Sequence, residues 1–161
     1  MIRKAVPQDI PRIAEIIVFG KRTAYRPIFQ NDSVSFNELQ VCRLAEEYAH
    51  DLGRLQHMLV YDDGILRGVI NRKYDKDRME ICDFYVDPFF TGRGIGRSLM
   101  EYVIRNAGQE LFHTIFLWVI AENTKARIFY ERNGFVTNGK TVLIEGTDKL
   151  DLYYERQLTE K

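Results

Sequence analysis

The chain has 161 residues with 23 basic and 23 acidic side chains, and 45% of it is apolar. That length suits one domain, residues 1–161, with a substantial core, and the even charge leaves no composition-level case for disorder or for a nucleic-acid partner. Cys42 and Cys82 fall inside apolar periodic segments and read as buried thiols rather than as a disulfide or a metal site. His50, His57 and His113 show no ligand spacing with each other or with the cysteines, so no metal is expected. The absence of a signal-like or spanning apolar run points to the cytoplasm and away from a membrane.

Residues 2–6 read as a short first strand. Asp9 is placed to cap a helix with Pro11 in its first turn, and Ile10, Ile13, Ala14 and Ile17 form its buried face. Residues 20–34, with Tyr25, Arg26, Pro27, Ile28 and Phe29, lack a clean period and read as an irregular loop, the kind of segment on which specificity is built. Ser35 and Glu38 make a capping-box pattern ahead of a helix that buries Val41, Leu44, Ala45, Tyr48 and Leu52 and ends at Gly53. Residues 56–61 and 65–74 flank Asp62-Asp63-Gly64, a hairpin signal, and the second strand turns through 75–78 into a third.

That third strand opens the stretch 79–99, around which the rest is organised. Its apolar run, residues 81–86, ends at Asp87-Pro88, because proline lacks an N–H and keeps the residue before it out of helical geometry. Gly92, Gly94 and Gly96 then alternate with Arg93 and Ile95, and Ile95, Leu99, Tyr102 and Val103 carry the stripe of an amphipathic helix. A strand, a glycine-rich bend and a helix start together make an anion-binding device, since the unpaired N–H groups of a first helical turn point at the ligand. The G-x-G-x-G spacing and the antiparallel strands before it do not suit a dinucleotide-binding fingerprint, and the G-K-[ST] of a nucleotide-binding P-loop is missing. A plain flexible turn is the remaining alternative.

Beyond the bend, Thr114–Ile120 reads as a buried strand, 123–132 as a helix with Gly134 at its end, and 135–143 and 150–154 as two late strands. The class is α+β, or mixed α/β, with helices on both faces of one sheet.

Thr91-Gly92-Arg93-Gly94-Ile95-Gly96 resembles the [Q/R]-x-x-G-x-[G/A] loop of the GCN5-related N-acetyltransferase (GNAT) superfamily. Tyr85-Val86-Asp87-Pro88 resembles that family's strand-ending V-x-P, and Leu117-Trp118-Val119 with Asn123, Ala126, Phe129, Tyr130, Gly134 and Phe135 resembles its second block. The opening residues 2–10 are also similar to the family's first strand and helix. Thr91 departs from the pattern, standing where the family has Gln or Arg; its contribution there is mainly through its backbone.

The resemblance implies a mostly antiparallel, twisted central sheet of about six to seven strands, splayed at an acetyl-CoA site. It implies that the pyrophosphate of acetyl-CoA lies on the amides of Arg93, Gly94, Gly96 and Arg97, with Tyr85, Val86, Thr91, Gly92, Ile95, Asn123 and Phe129 completing the contacts. The pantetheine arm would pair as a false strand near Val86 and Val119, and the N–H of Val86 would meet the thioester carbonyl as charge develops on it. Tyr130 would give a proton to the departing thiolate; ordinary pKa values of about 10 for tyrosine and about 8.5 for a thiol make this an undemanding transfer. The base is Glu80, Asp83 or a water chain, and strand alternation keeps the two carboxylates from sharing a face unless a bulge intervenes. Trp118 and Phe129 also read as core residues. The implied activity is an acetyl-CoA-dependent N-acetyltransferase for a small-molecule or peptide amine, with a homodimer expected from similar proteins. The alternative is a non-catalytic acyl-CoA-binding sensor of the same fold.

Overall fold

The structure, a computed structural model, describes residues 1–108 and 112–158. In chain order the elements are β1 (Ile2–Lys4), α1 (Ile10–Phe29), α2 (Val41–His50), β2 (Leu59–Asp62), β3 (Leu66–Asp75), β4 (Arg78–Val86), α3 (Ile95–Ala107), β5 (Thr114–Ile120), α4 (Thr124–Arg132), β6 (Val136–Leu143) and β7 (Leu150–Gln157). The strands form one seven-stranded sheet in the order β1-β2-β3-β4-β5-β7-β6. Pairing is antiparallel for β1–β2, β2–β3, β5–β7 and β6–β7, and parallel for β4–β5. The mixed, mostly antiparallel sheet is the architecture expected from the sequence. β7 lies between β5 and β6, so the two late strands do not follow in sheet order. No helix among the described residues is long and apolar enough to cross a membrane.

By internal contacts the chain divides into two units, Met1–Arg72 with Asp83–Tyr102, and Lys73–Cys82 with Val103–Lys161. In the first, Ile10, Ile13, Ile16 and Ile17 of α1 pack with Tyr48, Leu55, Met58, Val60, Leu66 and Val69, and Tyr85 borders the cluster. Gly68, next to Val69 and so facing the other way across the pleat, meets α3. A Cβ at Gly68 would stand 3.0 Å from Ile95 and 3.1 Å from Leu99, tighter than ordinary packing, so a side chain here would press on the helix. Helices therefore cover both faces of this part of the sheet, as expected.

In the second unit, alternate residues of β5, Ile115, Leu117 and Val119, are buried, as are Met79, Val103, Phe135 and Tyr154. The Tyr154 hydroxyl donates to Glu131 at 2.8 Å and accepts from Arg127 at 3.2 Å, tying α4 to β7.

Several local expectations are corrected. Residues 20–29 continue α1 rather than forming a loop. Gly20 lies against Tyr85, and Arg22 donates to the carbonyls of Ser35 and Leu39 at 2.8 and 2.7 Å, so the extension is held by distant partners instead of by an apolar stripe. Ser35 does not cap a helix: it is buried in a π-helical turn, Val34–Glu38, and α2 starts at Val41 and ends at His50, ahead of Gly53. Leu52 is exposed in the 3-10 turn Leu52–Leu55, and Cys42 is an exposed thiol, whereas Cys82 is partly buried. Asp9 precedes α1 but gives it no side-chain cap; its carboxylate accepts from the Val6 N–H and from Arg3.

Candidate functional site

The bend after β4 is built from its anchor outwards. Asp87 is 1% exposed; its N–H donates to the Arg67 carbonyl, and its carboxylate accepts from the Phe89 N–H at 2.8 Å and from Arg12. This folds the 3-10 turn Pro88–Phe90, and the Thr91 hydroxyl closes it by donating to the Pro88 carbonyl at 3.2 Å. Gly92 and Gly94 then take left-handed φ values of 77° and 79°, and a Cβ on either would meet nothing within 4 Å. Conformation, not crowding, thus requires glycine here. The Gly94 carbonyl accepts from the N–H and the hydroxyl of Ser98, so Gly94 stands just ahead of α3 and the amides of Ile95, Gly96 and Arg97, its first three residues, have no acceptor within the helix.

Ile95 is buried and pins the helix start. Arg93 lies 5.3 Å over the Phe90 ring, with Arg67 at 4.7 Å from the same ring, and the largely exposed Arg97 is 3.9 Å from Glu101. Open backbone amides flanked by Arg93 and Arg97 fit a diphosphate.

Upstream of the bend, Tyr85 and Val86 end β4, both partly buried, and the Tyr85 hydroxyl is 3.0 Å from that of Tyr25 in α1. Glu80 and Asp83 are both partly buried in β4. Glu80 stands opposite Phe116 in the parallel register, which comprises Arg78–Thr114, Met79–Ile115 and Glu80–Phe116.

In the second unit, Asn123 caps α4, accepting from the Ala126 N–H at 3.2 Å. Phe129 and Tyr130, near the end of α4, are partly buried; their rings meet edge to face at 5.6 Å, and Tyr130 meets Phe135 likewise at 5.9 Å. Gly134, at φ 79°, ends the helix.

Two arrangements were not foreseen in the sequence. The first is the pairing of Arg12 with Asp87. The second is a group on β5 and β7: Trp118 is only partly buried, on the face of β5 away from Ile115, Leu117 and Val119, and joins Phe116 and Tyr153 instead of the core. The aromatic residues at alternate positions 116 and 118 were the available signal for this second group.

The fold is thus an α+β sheet protein whose β4–α3 connection is a bend built on left-handed glycines that runs into the start of a helix. Residues 23–135 match the model for the acetyltransferase (GNAT) family, and the chain belongs to that family. It is 45% identical over 56 residues to an uncharacterised N-acetyltransferase of Methanocaldococcus jannaschii, a match covering 35% of this chain and 25% of that protein. With the mycothiol acetyltransferase of Beutenbergia cavernae it shares 35% identity over 80 residues, covering 48% and 27% of the two chains. The match thus spans about a quarter of the length of these curated relatives. Among solved structures, the PaiA N-acetyltransferase of Thermoplasma acidophilum in complex with coenzyme A superposes with a TM-score of 0.75 over 98% of both chains, at 21% identity. That likeness bears out the fold.

Proposed function

We propose that this chain, acting as one domain, is an acetyl-CoA-dependent N-acetyltransferase that passes an acetyl group to a primary amine of a small molecule or a protein. The observation that carries this reading is the left-handed bend at Gly92 and Gly94 leading into α3, whose opening amides have no acceptor within the helix, in a member of the GNAT family. In this reading those amides, with Arg93 and Arg97, hold the diphosphate of acetyl-CoA. Thr91 closes the turn through its hydroxyl, and the pantetheine arm follows the backbone end of β4 at Tyr85 and Val86. The coenzyme A complex of the Thermoplasma acidophilum protein supports the choice of ligand.

The transfer requires a neutral amine. Glu80, Asp83 or a water chain takes its proton, the nitrogen bonds to the thioester carbon, and the Val86 N–H donates to the oxygen on which charge gathers. The carbon–sulfur bond then breaks, Tyr130 protonates the departing thiolate, and the extra proton on the new amide nitrogen leaves through water, which restores the Tyr130 phenol. Asn123, which caps α4, and Phe129, whose ring meets that of Tyr130, are assigned to cofactor contacts in this reading.

Purified protein incubated with acetyl-CoA and a panel of amines, with free thiol followed, tests this. Amine-dependent thiol release is the expected result. Tyr130→Phe should lower kcat by about a hundredfold while keeping its affinity for coenzyme A; unchanged turnover would remove the role given to Tyr130. Tight binding of coenzyme A without thiol release for any amine would replace this reading with that of an acyl-CoA sensor.

A further inference from the structure

The face of β5 that carries Phe116 and Trp118 is a shelf of three rings. Tyr153, opposite Trp118 in the β5–β7 register, stacks with Phe116 at 5.7 Å and meets Trp118 edge to face at 5.3 Å. Arg78 fixes one side: its guanidinium lies 4.3 Å over Phe116 and donates to the Tyr153 hydroxyl at 2.7 Å, and that hydroxyl donates to Glu155 at 3.0 Å. The other side holds a cation that no such network explains. The Lys140 ammonium is 5.5 Å from the Trp118 ring and 5.7 Å from the Tyr153 ring, and it pairs with no carboxylate among the described residues.

A built irregularity puts Lys140 there. β6 and β7 are in register at Thr137–Tyr154 and again at Thr141–Leu152, so residues 138–140 face Tyr153 alone. Gly139 takes a left-handed φ of 83°, its N–H donates to the Thr137 hydroxyl, and the Lys140 N–H donates to the Asn138 side chain. A bulge of this kind turns a side chain out of its ordinary strand direction. Here it lays an exposed lysine over two aromatic faces, the preferred surroundings of an ammonium short of a carboxylate.

Two carboxylates complete the face. Glu80, opposite Phe116, is on it, and so is Asp151, two residues from Tyr153 in β7 and opposite Ile120. Partial burial holds the Asp151 carboxyl above its ordinary range.

We propose that Phe116, Trp118 and Tyr153 form a seat for an alkylammonium group, that Lys140 fills this seat in the free protein, and that an acceptor with a lysine-like primary amine on a linear alkyl chain displaces it. The proposal rests on the acetyltransferase reading for the identity of that ammonium as the acceptor. It assigns Lys140 as a competitive plug and selects Glu80 as the carboxylate on the acceptor's face.

Trp118 is the chain's single tryptophan, so its emission reads the seat directly. Pentan-1-amine, cationic at neutral pH, is titrated without acetyl-CoA against wild type, Lys140→Met and Lys140→Arg, with pentan-1-ol as the neutral control. The amine alone should shift the emission, and Lys140→Met, which keeps the stem and loses the charge, should tighten its binding about tenfold. Lys140→Arg should leave it weak. Equal responses to amine and alcohol, or no gain in Lys140→Met, would overturn the proposal.

Thiol release by the same proteins, with pentan-1-amine or a lysine peptide as acceptor, separates the two readings. A lower KM at unchanged kcat in Lys140→Met supports the seat, and the preferred acceptor shows whether free amine or peptide is used. Turnover with no emission response sinks the seat alone; an emission response without turnover or coenzyme A binding sinks the acetyltransferase reading alone.

Discussion

Arg12, in the first turns of α1, donates to the carboxylate of Asp87, 75 residues further along the chain, where β4 ends. The same guanidinium donates to the Leu66 carbonyl at 3.1 Å and to Glu15 at 2.7 Å, so one side chain holds α1, β3 and the entrance of the glycine bend together. Burial opposes its charge, and Glu15 and Asp87 outweigh that, holding the Arg12 pKa above its ordinary value. Because Asp87 also accepts from the Phe89 N–H, the pair decides where the amides that follow can point.

Removing the cation should therefore cost more than removing the anion. Arg12→Leu leaves a buried carboxylate without its partner and should destabilise the fold by about 3 kcal/mol. Asp87→Asn still accepts from Phe89 and leaves Arg12 with Glu15, so about 1–2 kcal/mol is expected. Urea unfolding of the two variants measures this. An Arg12→Leu protein as stable as wild type would mean that the pair is solvated and does not anchor the bend. Both variants should also raise KM for acetyl-CoA, since the bend loses its fixed entry.

The two glycines of the bend provide a cleaner separation of stability from binding. Gly94→Ala forces a side chain into a φ of 79°, a strain of about 1–2 kcal/mol, with nothing nearby to clash. Gly64→Ala, in the β2–β3 turn at φ 101°, imposes a comparable strain far along the chain from the bend. Both should lower the melting temperature by a few degrees. Only Gly94→Ala should weaken coenzyme A binding, by about tenfold, because it alone re-aims the first amides of α3. Calorimetric titration with coenzyme A decides it: equal affinities in the two variants would show that the bend does not contact the ligand.

What could be read before folding was whatever depended on near neighbours. The strand Thr114–Ile120 is an apolar run closed at both ends, Asn123 precedes its helix by the ordinary capping offset, and the glycines at 92 and 94 announce a bend without reference to the rest of the chain. What stayed hidden depends on partners far away in sequence. Residues 20–29 carry no apolar stripe, yet Arg22 and Tyr25 reach Ser35, Leu39 and Tyr85 and keep them helical. The Ser35–Glu38 pattern imitates a capping box, but Arg22 claims the Ser35 carbonyl and the segment closes as a π-helical turn. Lys140 reads as one more exposed strand lysine until the shift of register at residues 138–140 lays it across Trp118.

Acid should separate two kinds of carboxylate in this fold. Arg3 donates to Asp9 and to Asp62, and these hydrogen bonds hold both carboxyl groups below their ordinary range. A carboxyl whose folded pKa lies below its unfolded value of about 3.9 stabilises the protein above that value, and the stabilisation fades as pH falls through the folded pKa. Asp151 is the reverse case: burial raises its folded pKa, so its charge begins to cost stability as pH climbs from the unfolded value through the folded one. Melting curves recorded from neutral pH to below about 3 should then diverge in opposite senses. Asp9→Asn should melt lower than wild type at neutral pH and converge with it in acid, as the wild-type carboxylate is protonated. Asp151→Asn should melt higher than wild type at neutral pH and match it below about pH 4. If Asp9→Asn kept the full wild-type acid dependence, the Arg3 clamp would not be what acid breaks, and Asp62 with other carboxylates would have to carry it.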